Sequence, residues 1–329
     1  MRIAFLGSPP FAQDAFLSLL QGGASGRVHP PAVLVTRPPR KAGRGRREKP
    51  NLLEVEARSA GVPVLRPESA RDPAFLEAFA ACEPDLAVVV SYGQILGEDF
   101  LALPRLGCIN LHASLLPRWR GASPIQAAIL AGDRETGVCL QHVVRELDAG
   151  PVLAARRLPV PPRATSVDLA LSLGRLGAEL LVDFLAEIGE GPLPPGQPQD
   201  PAAVTVCRRV RRQDAGVDWS ASAEQVDRLV RAMAGWPVAE TRLAGGALLK
   251  IHAGEVEDEE AAGAEPGTVL AAEDGLVVQC GRGLYRIERL QREGRSAMSA
   301  ERFLRGARLR PGDRLQSLGQ HPPGFLVHF

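Results

Sequence analysis

Arg2 to Leu6 is a short apolar run that stops at Gly7-Ser8-Pro9-Pro10, after which Phe11, Ala12, Ala15, Phe16, Leu19 and Leu20 recur at helical spacing. This pattern predicts strand, turn, helix. Further apolar runs at Ala32 to Val35, Val62 to Leu65 and Leu86 to Val90 alternate with helical patterns from Asn51 to Ala60 and near Pro73 to Ala81. Strands alternating with helices predict a mostly parallel sheet with helices on both faces. Cys108 to Leu111 and Val138 to Val143 read as two more strands, Pro124 to Leu130 as a helix, and Val167 to Ile188 as a long helix.

At Gly189 the alternation ends. Gly189 to Ala203 is rich in Gly and Pro and poor in bulky apolar residues, the composition of an interdomain linker. Beyond it, apolar runs at 247–251, 267–271, 276–280 and 284–290 predict a small OB-like β-barrel with one helix from Ala223 to Ala234. The expected division is a Rossmann-like α/β domain at 1–189, a linker at 190–206 and an OB-like domain at 207–329. The acidic run Glu255 to Glu260 is expected in a solvated loop. Trp219 and Trp236, beside Val217 and Val238, are expected in the core of the second domain.

Length and charge narrow the class. The 329 residues are 45% hydrophobic and 23% charged, with mean hydropathy near zero, as expected of a chain that buries a sizeable core. No apolar run approaches the ~20 residues that span a bilayer, and the first residues form an apolar strand rather than a signal sequence. A cytoplasmic location is expected, with no membrane partner. Five cysteines at 82, 108, 139, 207 and 280 show neither metal-ligand nor redox spacing, and an odd count does not suit a secreted disulfide framework. The net charge of +1 is uninformative, so a nucleic-acid signal has to come from where the charges lie.

The turn after the first strand lacks the G-x-G-x-x-G spacing that admits a pyrophosphate, which argues against a dinucleotide cofactor. The densest chemistry lies in Gly107-Cys-Ile-Asn-Leu-His112-Ala-Ser-Leu-Leu-Pro117-Arg-Trp-Arg-Gly121. Asn110 and His112 are two apart on a strand, so both side chains leave one face where an open α/β sheet places ligands. An amide can donate to a developing oxyanion, and an imidazole can donate or exchange a proton near neutral pH. Spacing alone favours a structural pair satisfied by backbone groups. Asp148 follows a later strand in Leu147-Asp-Ala-Gly150; it can orient His112 or cap its own turn, and spacing does not choose.

These features together resemble the methionyl-tRNA formyltransferase family along nearly the whole chain. The resemblance is carried by IAFLGSPPFA at the start, TRPPRKAGRGRR at 36–47, SYGQIL at 91–96, NLHASLLPRWRGASPIQAAILAGD at 110–133 and LDAG at 147–150, with VDWSASA, GWP, PGTVL and AMSA further on. It implies that Asn110, His112 and Asp148 are catalytic and that the formyl donor is 10-formyltetrahydrofolate, with no metal. It also implies a folate site at Tyr92, Gly93, Gln94, Ile95, Leu96, Ser114, Leu115, Leu116, Pro117, Leu147, Ala149 and Gly150. Gly97 and Ala149 depart from the family's usual Pro and Thr, and Ser8-Pro9-Pro10 departs from its usual Thr-Pro-acid.

Arg37, Arg40, Lys41, Arg44, Arg46, Arg47 and Lys49 are opposed only by Glu48. Such a segment builds no core and is ordinarily a solvated charge run; its match to the family's insertion loop implies phosphate contact with initiator methionyl-tRNA. Arg208, Arg209 and Arg212 are expected to extend that contact, and the protein is expected to act as a monomer. The rivals are a formyltransferase of an amino sugar nucleotide, a glycinamide ribonucleotide formyltransferase that leaves the last ~120 residues unexplained, a formate-releasing hydrolase, and a non-catalytic tRNA-binding module.

Overall fold

The computed structural model describes residues 1–38, 41–42, 47–48, 51–271, 275–307, 309–321 and 326–328, with only the backbone described at 41–42, 47–48 and 326–328. The chain forms two compact units, each built from separated stretches of sequence. The first comprises Met1–Gly121, Glu135–Pro159 and Ala170–Thr205, and the second Ala122–Arg134, Val160–Leu169 and Val206–Phe329.

The first unit opens with β1 (Ile3–Gly7), α1 (Ala12–Ala24) and β2 (Pro31–Val35), followed by the short pair β3 (Lys41–Ala42) and β4 (Arg47–Glu48). Then come α2 (Leu52–Ser59), β5 (Val64–Leu65), α3 (Pro73–Ala80), β6 (Leu86–Val90), α4 (Glu98–Leu101), β7 (Cys108–His112) and β8 (Arg120–Gly121). Helix starts follow local chemistry. The Asn51 side chain accepts from Leu53 N and caps α2, while Asp72 accepts from Ala74 N ahead of Pro73, whose missing N–H costs nothing in the first turn.

After α5 (Pro124–Ala131), which lies in the second unit, come β9 (Glu135–His142), β10 (Val152–Pro159) and the long α6 (Ser166–Ile188). Among the described residues the sheet order is β10-β9-β7-β6-β1-β2-β5. It is parallel from β7 to β5 and antiparallel at β9 and β10. Every residue of β1 and β6 is buried, as befits strands covered on both faces. Gly177 of α6 lets that helix approach β7, since a Cβ there would meet Leu111 Cδ2 at 2.8 Å.

The apolar pattern does not reveal β10. Its residues alternate between half-buried and exposed with none fully buried, which is how an amphipathic edge strand is written and why no apolar run marks it.

β11 (Thr205–Cys207), whose first residue belongs to the first unit, leads to α7 (Ala223–Ala232), β12 (Ala239–Arg242), β13 (Leu248–Asp258), β14 (Val269–Ala271), β15 (Leu276–Gln279), β16 (Leu284–Arg292), β17 (Met298–Ser299) and α8 (Ala300–Gly306) of the second. Ser222 and Gln225 cap α7 reciprocally. The curled antiparallel sheet runs β12-β13-β16-β15-β14, with β17 on β16. Residues 313–316 run between its two edges. Gln316 N donates to Arg242 O at 2.8 Å, while Leu315 N donates to Gly267 O and Val269 N to Asp313 O, each at 2.8 Å. An irregular segment thus completes the OB-like half-barrel.

Two expectations are corrected here. The acidic run is not a loop throughout, because Glu255 to Asp258 continue β13 opposite β16, where Glu257 pairs with Arg286 at 2.6 Å. Cross-strand cations let a strand carry that charge on its solvent face. Trp219 is fully buried, its indole N–H donating to Thr241 Oγ1 at 3.0 Å, but Trp236 is 62% exposed. It sits in the turn between α7 and β12, beside Gly235 at φ +77°, so apolar sequence neighbours do not bury it.

Candidate active site

β7 ends beside β6 on one side and β9 on the other, at the carboxyl edge of the parallel strands. Asn110 and His112 leave one face of β7 there, and Gln141 of β9 is the cross-strand partner of Asn110. Asp148, in the loop between β9 and β10, closes the cluster. Its Oδ2 accepts the Gly121 N–H at 2.8 Å; its Oδ1 accepts from Gln141 Nε2 at 3.1 Å and from Asn110 Nδ2 at 3.4 Å. His112 Nδ1 stands 3.7 Å from the same Oδ1, an ion-pair distance longer than a hydrogen bond.

The histidine, 7% exposed, is anchored from the other side. Its Nε2 lies 2.9 Å from the Trp119 carbonyl. A carbonyl only accepts, so Nε2 carries a hydrogen, and Nδ1 is left as the position that gains or loses a proton toward Asp148. Trp119 is buried, and the Arg118 guanidinium lies 4.4 Å from its ring centroid. Ser114 Oγ donates to Arg118 O at 2.6 Å, tightening the same turn. The expected trio therefore converges, with Asp148 held mainly by amides and the imidazole by a backbone carbonyl.

The loop 91–97 follows β6. Ser91 and Gly93 take left-handed backbone at φ +50° and +74°. Among the described residues no backbone hydrogen bond engages Tyr92 to Leu96. Arg145 Nη1 lies 3.3 Å from Glu98 Oε1, which sets the Asp148 loop beside this one. Ile95 and Leu147 are 73% and 66% exposed. Unengaged peptide groups and bare apolar side chains suit a flat heterocycle bearing donors and acceptors on its edge.

The expected folate residues divide by role. Tyr92 is buried among Phe75, Phe79 and Phe100, and burial pushes its hydroxyl up to about 12 despite the nearby Arg37 cation. Gln94 braces the loop, accepting from Ala70 N at 2.7 Å and donating to Pro67 O at 3.2 Å. Leu115 packs over Gly137, where a side chain would meet it. Leu116 and Pro117 are half-buried and joined by a cis peptide bond. Gly150 cannot carry a side chain, because a Cβ there would overlap the His142 carbonyl; Ala149 is half-buried beside it.

The basic residues also divide. Arg40, Arg44, Arg46 and Lys49 lie outside the described residues, as do the side chains of Lys41 and Arg47. Arg37 Nε donates to Ser8 Oγ at 3.3 Å, and its guanidinium lies against Gly93, 3.0 Å from where a Cβ would stand. Arg208 grips Asp214 through two bonds of 2.9 and 2.7 Å. Burial pushes the Asp214 carboxyl up, yet Arg208 and the Arg211 N–H hold it net below its ordinary value. Arg212 stands 3.6 Å from Glu240, and Arg209 is exposed.

No cluster of three or more His, Cys, Asp or Glu suited to a metal occurs among the described residues. Nor is any described helix long and apolar enough to cross a membrane. Burial pushes the Cys108 and Cys280 thiols up to about 12 and Cys139 to about 11, the behaviour of inert core thiols.

Comparison with known proteins decides the family. The formyl transferase family matches residues 1–185, and its C-terminal domain family matches residues 209–308. A methionyl-tRNA formyltransferase of Methylococcus capsulatus is 45% identical over 304 residues, covering 92% of this chain and 96% of that protein. One from Acidiphilium cryptum is 46% identical over 317 residues, covering 96% and 100%. The chain belongs to the methionyl-tRNA formyltransferase family.

The fold of this formyltransferase recurs at low identity. HypX from Aquifex aeolicus, solved with tetrahydrofolic acid, superposes with TM-score 0.62 at 19% identity over 92% of this chain and 47% of that one. An N-formyltransferase from Helicobacter canadensis, solved with folinic acid and dTDP-3-aminofucose, gives 0.61 at 14% identity over 89% and 99%. Within this candidate cluster, sequence reasoning misses Gln141, the Gly121 N–H and the Trp119 carbonyl. Period-two alternation on β9 could have marked Gln141 as facing Asn110, but only with the register known. Backbone donors and acceptors leave no mark in a sequence.

Proposed function

We infer that this enzyme transfers the formyl group of 10-formyltetrahydrofolate to the α-amino group of methionyl initiator tRNA. The observation that carries the reading is the convergence of Asn110, His112 and Asp148 at the end of β7 in a chain 41% to 46% identical to methionyl-tRNA formyltransferases. The folate, held by the 91–96 loop, Leu147 and Ala149, supplies an activated formyl carbon. Asn110 Nδ2 donates to the oxygen that gains charge as the neutral amine attacks. His112 Nδ1 takes up the proton that the amine sheds and returns it to the folate N10 as the bond from the formyl carbon to N10 breaks, so that the new amide forms and tetrahydrofolate leaves. Asp148 stabilises the imidazolium and, caged by three amide donors, keeps its carboxylate in place.

For the acceptor, we propose phosphate contacts from Arg40, Lys41, Arg44, Arg46, Arg47 and the exposed Arg209. Arg212, which stands 3.6 Å from Glu240 with its side chain 66% exposed, joins that set, while Arg37 and Arg208 are set aside because Ser8 and Asp214 engage them. A monomer acting in the cytoplasm without a metal belongs to the same reading.

The test is transfer of labelled formyl from 10-formyltetrahydrofolate to charged methionyl initiator tRNA, with uncharged tRNA and an amino sugar nucleotide as parallel acceptors. Label on methionine is the expected result. Label on the sugar alone keeps the chemistry and overturns the acceptor; release as free formate points to a hydrolase, and no turnover of the folate to a binding module.

A further inference from the structure

Residues 189–203 have the composition of a passive linker, yet one of their side chains reaches the chemistry. Gln199 Nε2 donates to Asp148 O and to Gly150 O, each at 2.8 Å, and lies 3.3 Å from Gln141 Oε1. Its Oε1 accepts from Arg120 Nε at 2.9 Å. Two residues earlier, Gln197 pairs with Val152 through reciprocal backbone bonds of 2.8 Å. Every hydrogen-bonding atom of the Gln199 amide is therefore engaged.

The loop it grips needs holding. Asp148 is a non-glycine residue at φ +51°, a left-handed conformation that L side chains rarely adopt and that persists only where surroundings enforce it. The preceding residues Val144 to Leu147 are exposed and contribute little packing. The two carbonyls that Gln199 binds flank Ala149, so the amide spans the loop immediately behind the carboxylate. Gln199 also faces the amide of Gln141: its two amide hydrogens go to the loop carbonyls, and the 3.3 Å approach to Gln141 Oε1 is the weaker branch of a shared bond that leaves Gln141 Nε2 directed at Asp148 Oδ1. One side chain thus fixes the backbone that carries Asp148 and one of the donors that orient it.

We propose that Gln199 is a positioning residue for formyl transfer, acting on Asp148 through the loop carbonyls and through Gln141. The proposal rests on the reading of Asn110, His112 and Asp148 as the catalytic set. It requires the N–H groups of Gln199 in particular. Glutamate at this position keeps the acceptor for Arg120 but turns an acceptor oxygen toward the two loop carbonyls.

The experiment measures kcat, KM for both substrates and Tm for the full-length wild type, Gln199→Ala and Gln199→Glu. A displaced reacting group slows turnover without weakening binding, so Gln199→Ala is expected to lower kcat ~10 to 100-fold with both KM values within about twofold. Gln199→Glu is expected to lose at least as much, with a Tm close to that of the alanine variant. Wild-type turnover with kcat of Gln199→Ala unchanged overturns the positioning role alone. So does a Gln199→Glu enzyme as fast as wild type, or a loss confined to KM or Tm. Absence of formyl transfer by the wild type overturns instead the functional reading beneath it.

Discussion

In the proposed reaction Asn110 serves the developing negative charge, from an amide that lies 3.4 Å from Asp148 Oδ1. Removing one preorganised oxyanion donor slows turnover by ~100 to 1,000-fold. Asn110→Ala is therefore expected to lose that much kcat with its fold intact; a rate within tenfold of wild type removes Asn110 from the role. Gly150 works through space rather than chemistry. A Cβ there would overlap the His142 carbonyl, so Gly150→Ala has to push the Asp148 loop away from β9. Overpacking of this kind costs ~1 to 3 kcal/mol. Denaturant unfolding together with kcat checks it: both are expected to fall, and an unchanged kcat means the loop does not depend on that close approach.

At the scale of elements, the segment joining β11 to α7 is held by Arg208 on Asp214. The Asp214 carboxyl is held below its unfolded value, so the unfolded chain binds more protons in that window and stability rises with pH there. The contribution is complete above about pH 4 and is lost as pH falls through the folded value. Asp214→Asn is expected to be less stable than wild type at pH 7 by ~1 to 3 kcal/mol, with the gap narrowing as pH falls below the unfolded carboxyl value of about 4. Equal gaps at pH 7 and pH 3 exclude the ion pair as its source. The basic insertion after β2 makes a separate prediction. Neutralising Arg44 and Arg46 is expected to raise the KM for tRNA and flatten its salt dependence, since each phosphate contact contributes close to one unit of the salt slope. Folate KM is expected to stay put, and an unchanged salt slope argues against phosphate contact.

For the whole molecule, the interleaving of the two units matters most. Helix α5 comes early in the chain but packs with α7 in the second unit. Ala122 N donates to Cys207 O and Ser123 Oγ accepts from Val210 N, each at 3.0 Å. Arg228 covers Gly132, and Ser166 Oγ donates to Ala234 O at 3.2 Å. A chain ending at Thr205 is therefore expected to leave α5 unprotected, lowering Tm and accelerating amide exchange across Pro124–Ala131. Protection equal to that in the full-length protein means α5 draws its stability from elsewhere.

Much of this was legible in the residues themselves. The buried strands β1, β6 and β7 and the helices α1, α3 and α6 follow from apolar period and from local caps such as Asp72, because those forces act within a few residues. Spacing alone favoured a structural pair at Asn110 and His112 and left the role of Asp148 open; the resemblance of the surrounding motifs to the family is what implied a catalytic trio. The structure alone decided what surrounds them. Asp148 meets Gly121 from 27 residues away, Asn110 from 38 and the Gln199 amide from 51, and the closing segment at Asp313–Gln316 makes its bonds through backbone with no motif. Local sequence dictates which way a segment folds. Which distant amide arrives behind a carboxylate depends on strand order, register and the path of a Gly- and Pro-rich connection, and those are settled only when the sheet assembles.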